Sequence, residues 1–274
     1  MNNLLRANFS RLKRDKTFWL CLLTVLGCSI GFMILWCLEN QEKGMLTDLD
    51  SFYFRFSTAM GFFYAIFICL FLSVEYSEGT IRNKLTVGHT RREVYLSSFL
   101  TAFTASLCIA AMWLIGGLAG VPFLGFLTIG FGGILLCFAI IVGYTAAFSA
   151  IYTFIGLLND RRSATVITIS VWLILILVSS IFENTLHEPE EITTALVSLD
   201  GGLPATITEP NPYYISGLQR TIYEFVVDLL PSGQSSSMQN INIGHPVRML
   251  LCSAGVTAAF TLGGLRLFER KDLK

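Results

Sequence analysis

The chain has 274 residues, of which 53% are hydrophobic and 14% are charged, and its mean hydropathy is +0.63. So little charge excludes an ordinary soluble enzyme, because soluble domains carry about 25% charged residues. Nineteen Lys and Arg residues balance nineteen Asp and Glu residues, so no basic excess indicates nucleic acid as a partner.

The first sixteen residues show the pattern of an amphipathic helix that lies in the headgroup layer of a membrane. One face of this helix is apolar and the opposite face is basic, with Leu4, Leu5, Phe9 and Leu12 on the first and Arg6, Lys13 and Arg14 on the second. Two roles fit this pattern equally: a charged anchor that fixes the topology, or a lever that couples cytoplasmic motion to the first span.

Six segments are long and apolar enough to cross a bilayer as helices, since one crossing takes about 20 apolar residues. The uncharged stretch between Glu93 and Asp160 is too long for one span, and Gly120-Val121-Pro122 interrupts it. The predicted spans are therefore residues 17–38, 56–74, 97–119, 131–158, 163–182 and 248–267. The predicted fold class is an all-α integral membrane protein that forms a single membrane domain over residues 1–274.

The distribution of basic residues predicts the orientation of the chain. With both termini in the cytoplasm, the inner segments hold 15 of the 19 Lys and Arg residues and the outer segments hold four. Cytoplasmic loops are enriched in these residues. We therefore expect a multi-pass protein of a bacterial plasma (inner) membrane with its amino and carboxyl termini in the cytoplasm.

The cytoplasmic loop at residues 75–93 has the pattern of a short helix between two breaks at Gly79 and Gly88. Ile81 and Leu85 lie on one face of this helix, and Arg82 and Lys84 lie beside them. Thr90 and Glu93 then match a capping box that starts the third span. An amphipathic peg of this kind favours docking into a partner's groove, and the alternative is a solvated basic loop.

The run EYSEGTIRNKLTVGHTRREVYLS in this loop resembles the loop after the second span in permease subunits of type-2 ATP-binding-cassette (ABC-2) exporters. In that family an acidic-Gly-Thr segment precedes a coupling helix, and an Arg-Tyr entry into the third span follows. The resemblance implies that residues 79–85 dock on a cytoplasmic nucleotide-binding ATPase subunit.

The residues that this resemblance assigns to ATPase coupling are Glu75, Glu78, Gly79, Thr80, Ile81, Arg82, Lys84, Leu85, Arg91 and Arg92. We expect Ile81 and Leu85 to lie outside the membrane bundle and to fill an apolar groove on the ATPase, with Arg82 and Lys84 at the rim. The two glutamates are expected to pair with Arg82, Arg91 or Arg92 and so fix the angle of the loop.

Residues 183–247 form an extracellular segment between spans five and six, with eight acidic residues and one arginine. An apolar face at helical spacing predicts an amphipathic helix here, and its members are Leu218, Ile222, Phe225 and Leu229. The run LLPSGQ at residues 229–234 is similar to a stretch of the ABC-2 family that dips back into the outer leaflet at the exit of the substrate path. This face is therefore a candidate extracellular gate, and the alternative is a surface helix whose apolar face packs on the bundle.

No motif for catalysis, metal binding or nucleotide binding occurs in the sequence. Gly-Lys is absent, so there is no Walker A motif, and the HExxH and GxSxG motifs are also absent. His89, His187 and His245 lie far apart without ligand spacing. We therefore expect no catalytic residue, cofactor or metal on this chain, and the resemblance implies ATP and Mg²⁺ on the partner subunit.

The sequence thus predicts the permease subunit of an ATP-driven exporter, whose ATPase is a separate chain and whose path needs a second permease chain, identical or homologous. The uncharged spans favour an amphiphilic or apolar cargo such as a peptide, drug or lipid. Two alternatives stay open: a membrane scaffold or sensor that recruits a cytoplasmic partner, and an intramembrane enzyme of unrecognised motif. Stimulation of ATP hydrolysis on reconstitution would separate the exporter from both.

Overall fold

The computed structural model describes residues 1–43, 54, 57–77, 79–121, 130–159, 161–196, 205–239 and 243–271. These residues form ten α-helices and one two-stranded hairpin. The helices are α1 (Asn2–Arg14), α2 (Lys16–Lys43), α3 (Ser57–Ser77), α4 (Thr80–Thr86), α5 (Arg91–Gly117), α6 (Phe131–Leu158), α7 (Arg161–Leu186), α8 (Gly217–Leu229), α9 (Pro231–Gln239) and α10 (Pro246–Arg270). The strands are β1 (Glu191–Leu196) and β2 (Ala205–Pro210).

Six of these helices, α2, α3, α5, α6, α7 and α10, are long and apolar enough to cross a membrane. The prediction of an all-α integral membrane protein with six spans is confirmed. Among the described residues, β1 and β2 are the strands. They pair antiparallel, from Glu191 opposite Pro210 to Leu196 opposite Ala205.

Several spans are longer than the charge-free runs that predict them. The helix predicted over residues 163–182 extends over Arg161–Leu186, and the one predicted from residue 97 begins at Arg91. A helix satisfies its own backbone hydrogen bonds, so it does not have to end where the hydrocarbon ends. As a result, Glu183 lies in the last turns of α7 rather than in a loop.

The core of the bundle lies around α3 and α6. Helix α6 packs against α10, α3 and α5, and α3 also packs against α7. Tyr64, Phe148 and Tyr152 are completely buried there, and the rings of Phe148 and Tyr152 stack with their centroids 5.5 Å apart. The hydroxyl groups of Tyr64 and Thr145 lie 3.3 Å apart and join α3 to α6. Packing and interhelical hydrogen bonds of this kind hold helices together in lipid.

Two spans lie at the edge of the bundle. Few residues of α7 and α10 are buried, and on α7 Ile174, Leu177 and Ile181 are each more than half exposed. These apolar side chains face away from the chain's own core. They therefore form a surface that lipid or a second chain can cover.

The amino-terminal helix is held against the start of the third span. Leu4 and Leu12 of α1 are 3% and 4% exposed, and Asn8 between them is equally buried. The Asn8 Nδ2 atom donates to Ser97 Oγ of α5 over 3.2 Å. The predicted amphipathic helix therefore packs its apolar face on the chain's own bundle, at the start of α5.

Candidate functional site

The short helix α4 lies between two glycines, as the sequence predicts. Gly79 precedes it with φ of +66° and Gly88 follows it with φ of +102°, a backbone region that favours glycine because it has no Cβ atom. The Thr80 hydroxyl donates to the Glu75 carbonyl oxygen over 2.9 Å. These features turn the chain sharply from α3 into α4.

The apolar face of α4 packs on this chain's own bundle. Ile81 is 2% exposed and belongs to the hydrophobic core, and Leu85 is partly buried against the same core. The expectation that Ile81 and Leu85 lie outside the bundle and fill a partner's groove is wrong. Helix α4 contacts both α3 and α5, so its apolar face is covered by this chain and holds α4 in place.

The outward surface of α4 consists of other residues. Arg82, Asn83 and Thr86 are exposed, and Val87 directly after the helix is 80% exposed. We call these four residues the α4 outer face. An exposed valine flanked by a cation and two hydrogen-bonding groups is a surface that a protein partner can bind.

A buried carboxylate connects α4 to two other helices. Glu75, in the last turns of α3, is fully buried, and its Oε1 atom lies 2.5 Å from Arg11 Nη1 of α1 and 2.8 Å from Lys84 Nζ of α4. Lys84 also donates to Asn8 Oδ1 of α1 over 2.9 Å. The guanidinium group of Arg11 lies 4.3 Å from the centre of the Phe71 ring. We call Glu75, Arg11, Lys84 and Asn8 the inner polar node.

The ion pairs of the inner polar node differ from those predicted from the sequence. Glu75 pairs with Arg11 and Lys84, and not with Arg82, Arg91 or Arg92. Sequence reasoning counted Arg11 only among the basic residues of the inner segments and gave it no role of its own. Its position three residues after Asn8 was the available signal, because residues at i and i+3 share one face of a helix. Glu78 itself lies outside the described residues, so its predicted pairing stays a prediction.

Arg91 and Arg92 hold the end of the last span. Arg91 Nη1 donates to the carbonyl oxygens of Phe268 at 3.1 Å and of Glu269 at 3.2 Å, and Arg92 pairs with the Glu269 carboxylate. Cations at a helix carboxyl terminus satisfy its free carbonyl groups. These two arginines therefore contact the end of α10, and their role in ATPase coupling stays a prediction.

The predicted outer helix is present as α8, and its apolar face is open. Leu218, Ile222, Phe225 and Leu229 are 78%, 50%, 46% and 37% exposed. The alternative, in which this face packs on the bundle, is wrong for this chain. Such a face needs a cover from lipid or from another chain.

The polar face of α8 points inward. Arg220 Nε lies 3.3 Å from Glu224 Oε1, and Arg248 of α10 pairs with Asp228. Burial raises the pKa of Asp228 above its ordinary value, although Arg248 beside it acts in the opposite direction. The ion pair of Arg248 with Asp228 therefore anchors α8 to the first turn of α10.

Comparison with known families agrees with this architecture. The family model described as ABC-2 family transporter protein matches residues 4–179. These residues run from α1 through the first four spans and into α7. This chain belongs to the ABC-2 transporter family. It is therefore a membrane permease of an ABC transporter, and the family implies association with an ABC ATPase. No curated protein matches the chain.

Proposed function

We propose that this permease exports an amphiphilic or apolar cargo, and that a separate ATPase subunit with bound ATP and Mg²⁺ docks on the α4 outer face. The observation that carries this proposal is the inner polar node. It ties the helix that would meet the ATPase to α1 and α3 through buried charges, and a helix that served only as a connection would not require such bonds.

The node gives α4 a route to the membrane bundle. Lys84 and Ile81 fix α4 to the ends of α3 and α1, so an ATPase that pulls or tilts α4 must move these helices with it. Rigid-body rocking of packed helices is a common switching motion. In this scheme α1 serves as a lever rather than as an anchor alone.

The direction and orientation rest on the charge pattern. Basic residues concentrate on the side of α1, α4 and the end of α10, which we assign to the cytoplasm of a bacterial cell. The ATPase would then bind from the cytoplasm, and α8 and α9 would lie at the outer surface. Export is the direction that this arrangement favours.

A second permease chain completes the path in this proposal. The exposed apolar side chains of α7, including Ile174, Leu177 and Ile181, and the open face of α8 form the surface that we assign to this second copy or homologue. Most soluble homo-oligomers are closed and symmetric, and in a twofold dimer both chains use the same surface. One such surface on each chain would therefore be enough to form the dimer.

The test uses the tagged permease purified with the ATPase subunit that it retains, identified by mass spectrometry and reconstituted in proteoliposomes. ATP hydrolysis should rise in the presence of the permease. The variant Val87→Glu should weaken ATPase binding about tenfold to hundredfold, because it replaces an apolar contact by a buried charge.

The matched control is Val247→Glu, since Val247 is 68% exposed at the opposite end of the molecule. It should bind the ATPase like the parent. Equal binding by Val87→Glu and Val247→Glu would reject the α4 outer face as the docking surface. A stable complex that never couples ATP hydrolysis to transport would favour a scaffold or sensor.

A further inference from the structure

A groove of about 540 Å³ runs along the last span, between α10, α6 and α5. On α10 it extends from Leu250 to Leu262, which is about 18 Å along a helix, and Phe99 lines it from α5. All three helices are candidate membrane spans. Val142 and Leu262, which also line the groove, are 43% and 59% exposed. The groove therefore lies at the depth of the hydrocarbon core and opens sideways toward lipid.

The surface of the groove is apolar, although hydroxyl-bearing residues line it. Ser253 is 2% exposed, and its hydroxyl donates to Gln234 Oε1 over 2.7 Å. The side chains of Thr257 and Thr261 are partly exposed, but their Oγ1 atoms are buried, so these threonines present carbon atoms to the groove. Among the described residues that line it, none is charged. A ligand therefore meets carbon atoms along the whole length of the groove, and apolar surface is what it gains by burying there.

Small residues keep the groove open where larger side chains would fill it. Helix α6 contributes Gly143 and Ala146, and α10 contributes Ala254 and Ala258. A Cβ atom at Gly143 would lie 3.4 Å from Leu250 Cδ2, so α6 and α10 are already in direct contact at one edge of the groove. Small residues permit such an approach of two helices in a membrane.

The groove cannot close by a simple movement of α10, because contacts fix this helix on both sides of it. Arg248 pairs with Asp228 in the first turn of α10, and the Tyr95 hydroxyl of α5 donates to the Phe260 carbonyl oxygen over 3.4 Å. Side chains that line an empty apolar space lose their dispersion contacts outright. The space is therefore filled by a group from outside the chain.

The dimensions of the groove select the occupant. Its volume and its length give a cross-section of about 30 Å², or a width of about 5–6 Å. An α-helix with its side chains is about 10–12 Å across, whereas two carbon atoms in contact lie about 4 Å apart, so the groove accepts one alkyl chain and not a helix. Its footprint of about 100 Å² is also far below the roughly 800 Å² per partner of a stable protein interface. The length is close to one leaflet of a hydrocarbon core about 30 Å thick.

We propose that this groove binds one unbranched acyl chain of a bilayer phospholipid, which stays with the permease as a wedge between α10 and α5. The headgroup lies outside the groove, so the chain rather than the headgroup is recognised. This lipid site goes beyond the proposed export function, because neither the cargo nor the ATPase takes part in it.

The experiment counts the phospholipid that the purified permease retains. The tagged chain is reconstituted in vesicles of dioleoylphosphatidylcholine, extracted with dodecyl maltoside and weighed by native mass spectrometry. The parent should retain one phospholipid per chain. Ala258→Trp places an indole ring in the groove and should lower the retained fraction at least tenfold. Ala259→Trp is the matched control, since Ala259 is exposed on α10 and does not line the groove, and it should retain lipid like the parent.

Two further vesicle compositions test what the site recognises, and both use the parent chain, so they do not depend on the folding of a variant. Diphytanoylphosphatidylcholine has the same headgroup but methyl-branched chains that are too wide for the groove, and it should not be retained. Dioleoylphosphatidylglycerol has the same chains and a different headgroup, and it should be retained as well as dioleoylphosphatidylcholine.

Three results would overturn the proposal. The first is equal retention of dioleoylphosphatidylcholine by the parent and Ala258→Trp, or no retention by the parent. The second is retention that follows the headgroup, or that is as strong for the branched chains. The third is loss of a second permease chain, rather than of lipid, in Ala258→Trp, which would assign the groove to a protein contact.

Discussion

Replacing Glu75 by glutamine removes the charge at the centre of the inner polar node and keeps the size of the side chain. The parent carboxylate is fully buried and faces both Arg11 and Lys84 through the same oxygen atom. In the variant these two cations lose their common counter-charge. We expect α1 and α4 to loosen together, because Arg11 and Lys84 share this one carboxylate of α3.

The size of the effect follows from burial. Lys84 and Arg11 are 16% and 28% exposed, so water compensates them only in part. Removing one member of a buried ion pair costs about 3–5 kcal/mol. Lys84 keeps its bond to Asn8, and Arg11 keeps its contact with Phe71, so we expect the lower value, about 3 kcal/mol in the free energy of unfolding.

The assay is unfolding of the purified permease by increasing SDS, followed by circular dichroism, for Glu75→Gln, Lys84→Met and the double variant. The double variant should be less destabilised than the sum of the single variants, with a coupling energy of about 1–3 kcal/mol. Glu209→Gln is the control, because Glu209 is exposed on β2. Additive effects, or a Glu75→Gln variant as stable as the control, would refute the claim that the inner polar node stabilises the fold.

Two further predictions concern the last span. Arg248→Gln should raise the pKa of Asp228 further, so that stability falls as pH rises above the ordinary pKa of an aspartate, because an acid whose pKa is raised by folding favours the folded state only while it is protonated. Adding Asp228→Asn should abolish this pH dependence, and a pH-independent loss in the single variant would contradict it. Gly264→Ala should lower the free energy of unfolding by about 1–3 kcal/mol, because a Cβ atom there would lie 2.0 Å from the Tyr95 hydroxyl oxygen, while Gly263→Ala meets open space and should be neutral. Equal SDS midpoints for these two alanine variants would contradict the close contact between α5 and α10.

The parts of the fold that depend on local pattern could be predicted from the sequence. The six spans, the amphipathic helix α1 and the outer helix α8 all follow from the spacing of apolar residues. The capping box is equally local, and the structure contains it: Thr90 Oγ1 accepts from the Glu93 amide over 3.3 Å, and Glu93 Oε2 accepts from the Thr90 amide over 3.2 Å.

The errors concern which surface each helix presents to the rest of the chain. Ile81 and Leu85 form an apolar face, and the sequence does not tell whether the chain itself or a partner covers that face. Arg91 and Arg92 are equally ambiguous, because the carbonyl groups that Arg91 satisfies belong to residues 268 and 269. Contacts between residues so far apart in the sequence depend on tertiary packing, so a local sequence pattern cannot predict them.

A polar cavity lined by Ser179, Glu183 and Ser232, which we call the outer cavity, was missed for a different reason. A charge marks the end of an apolar run, so the predicted span stops at Phe182 and Glu183 falls into the outer segment. The structure instead continues the helix to Leu186 and turns Glu183 inward. The available signal was the stripe of Ser179, Ser180, Glu183 and Asn184, which lies on one helical face once the helix is extended.

Helix α3 joins the outer cavity to the inner polar node. Helix α3 begins near Thr58, which lines the outer cavity, and its last turns carry Glu75 of the inner polar node. Seventeen residues separate these positions, or about 26 Å along a helix. Because α6 and α7 pack closely along α3, it cannot bend freely between its ends, and a close-packed interior transmits displacement rather than absorbing it. Movement of α4 would therefore reach the wall of the outer cavity through α3 itself, without any separate pathway of side chains.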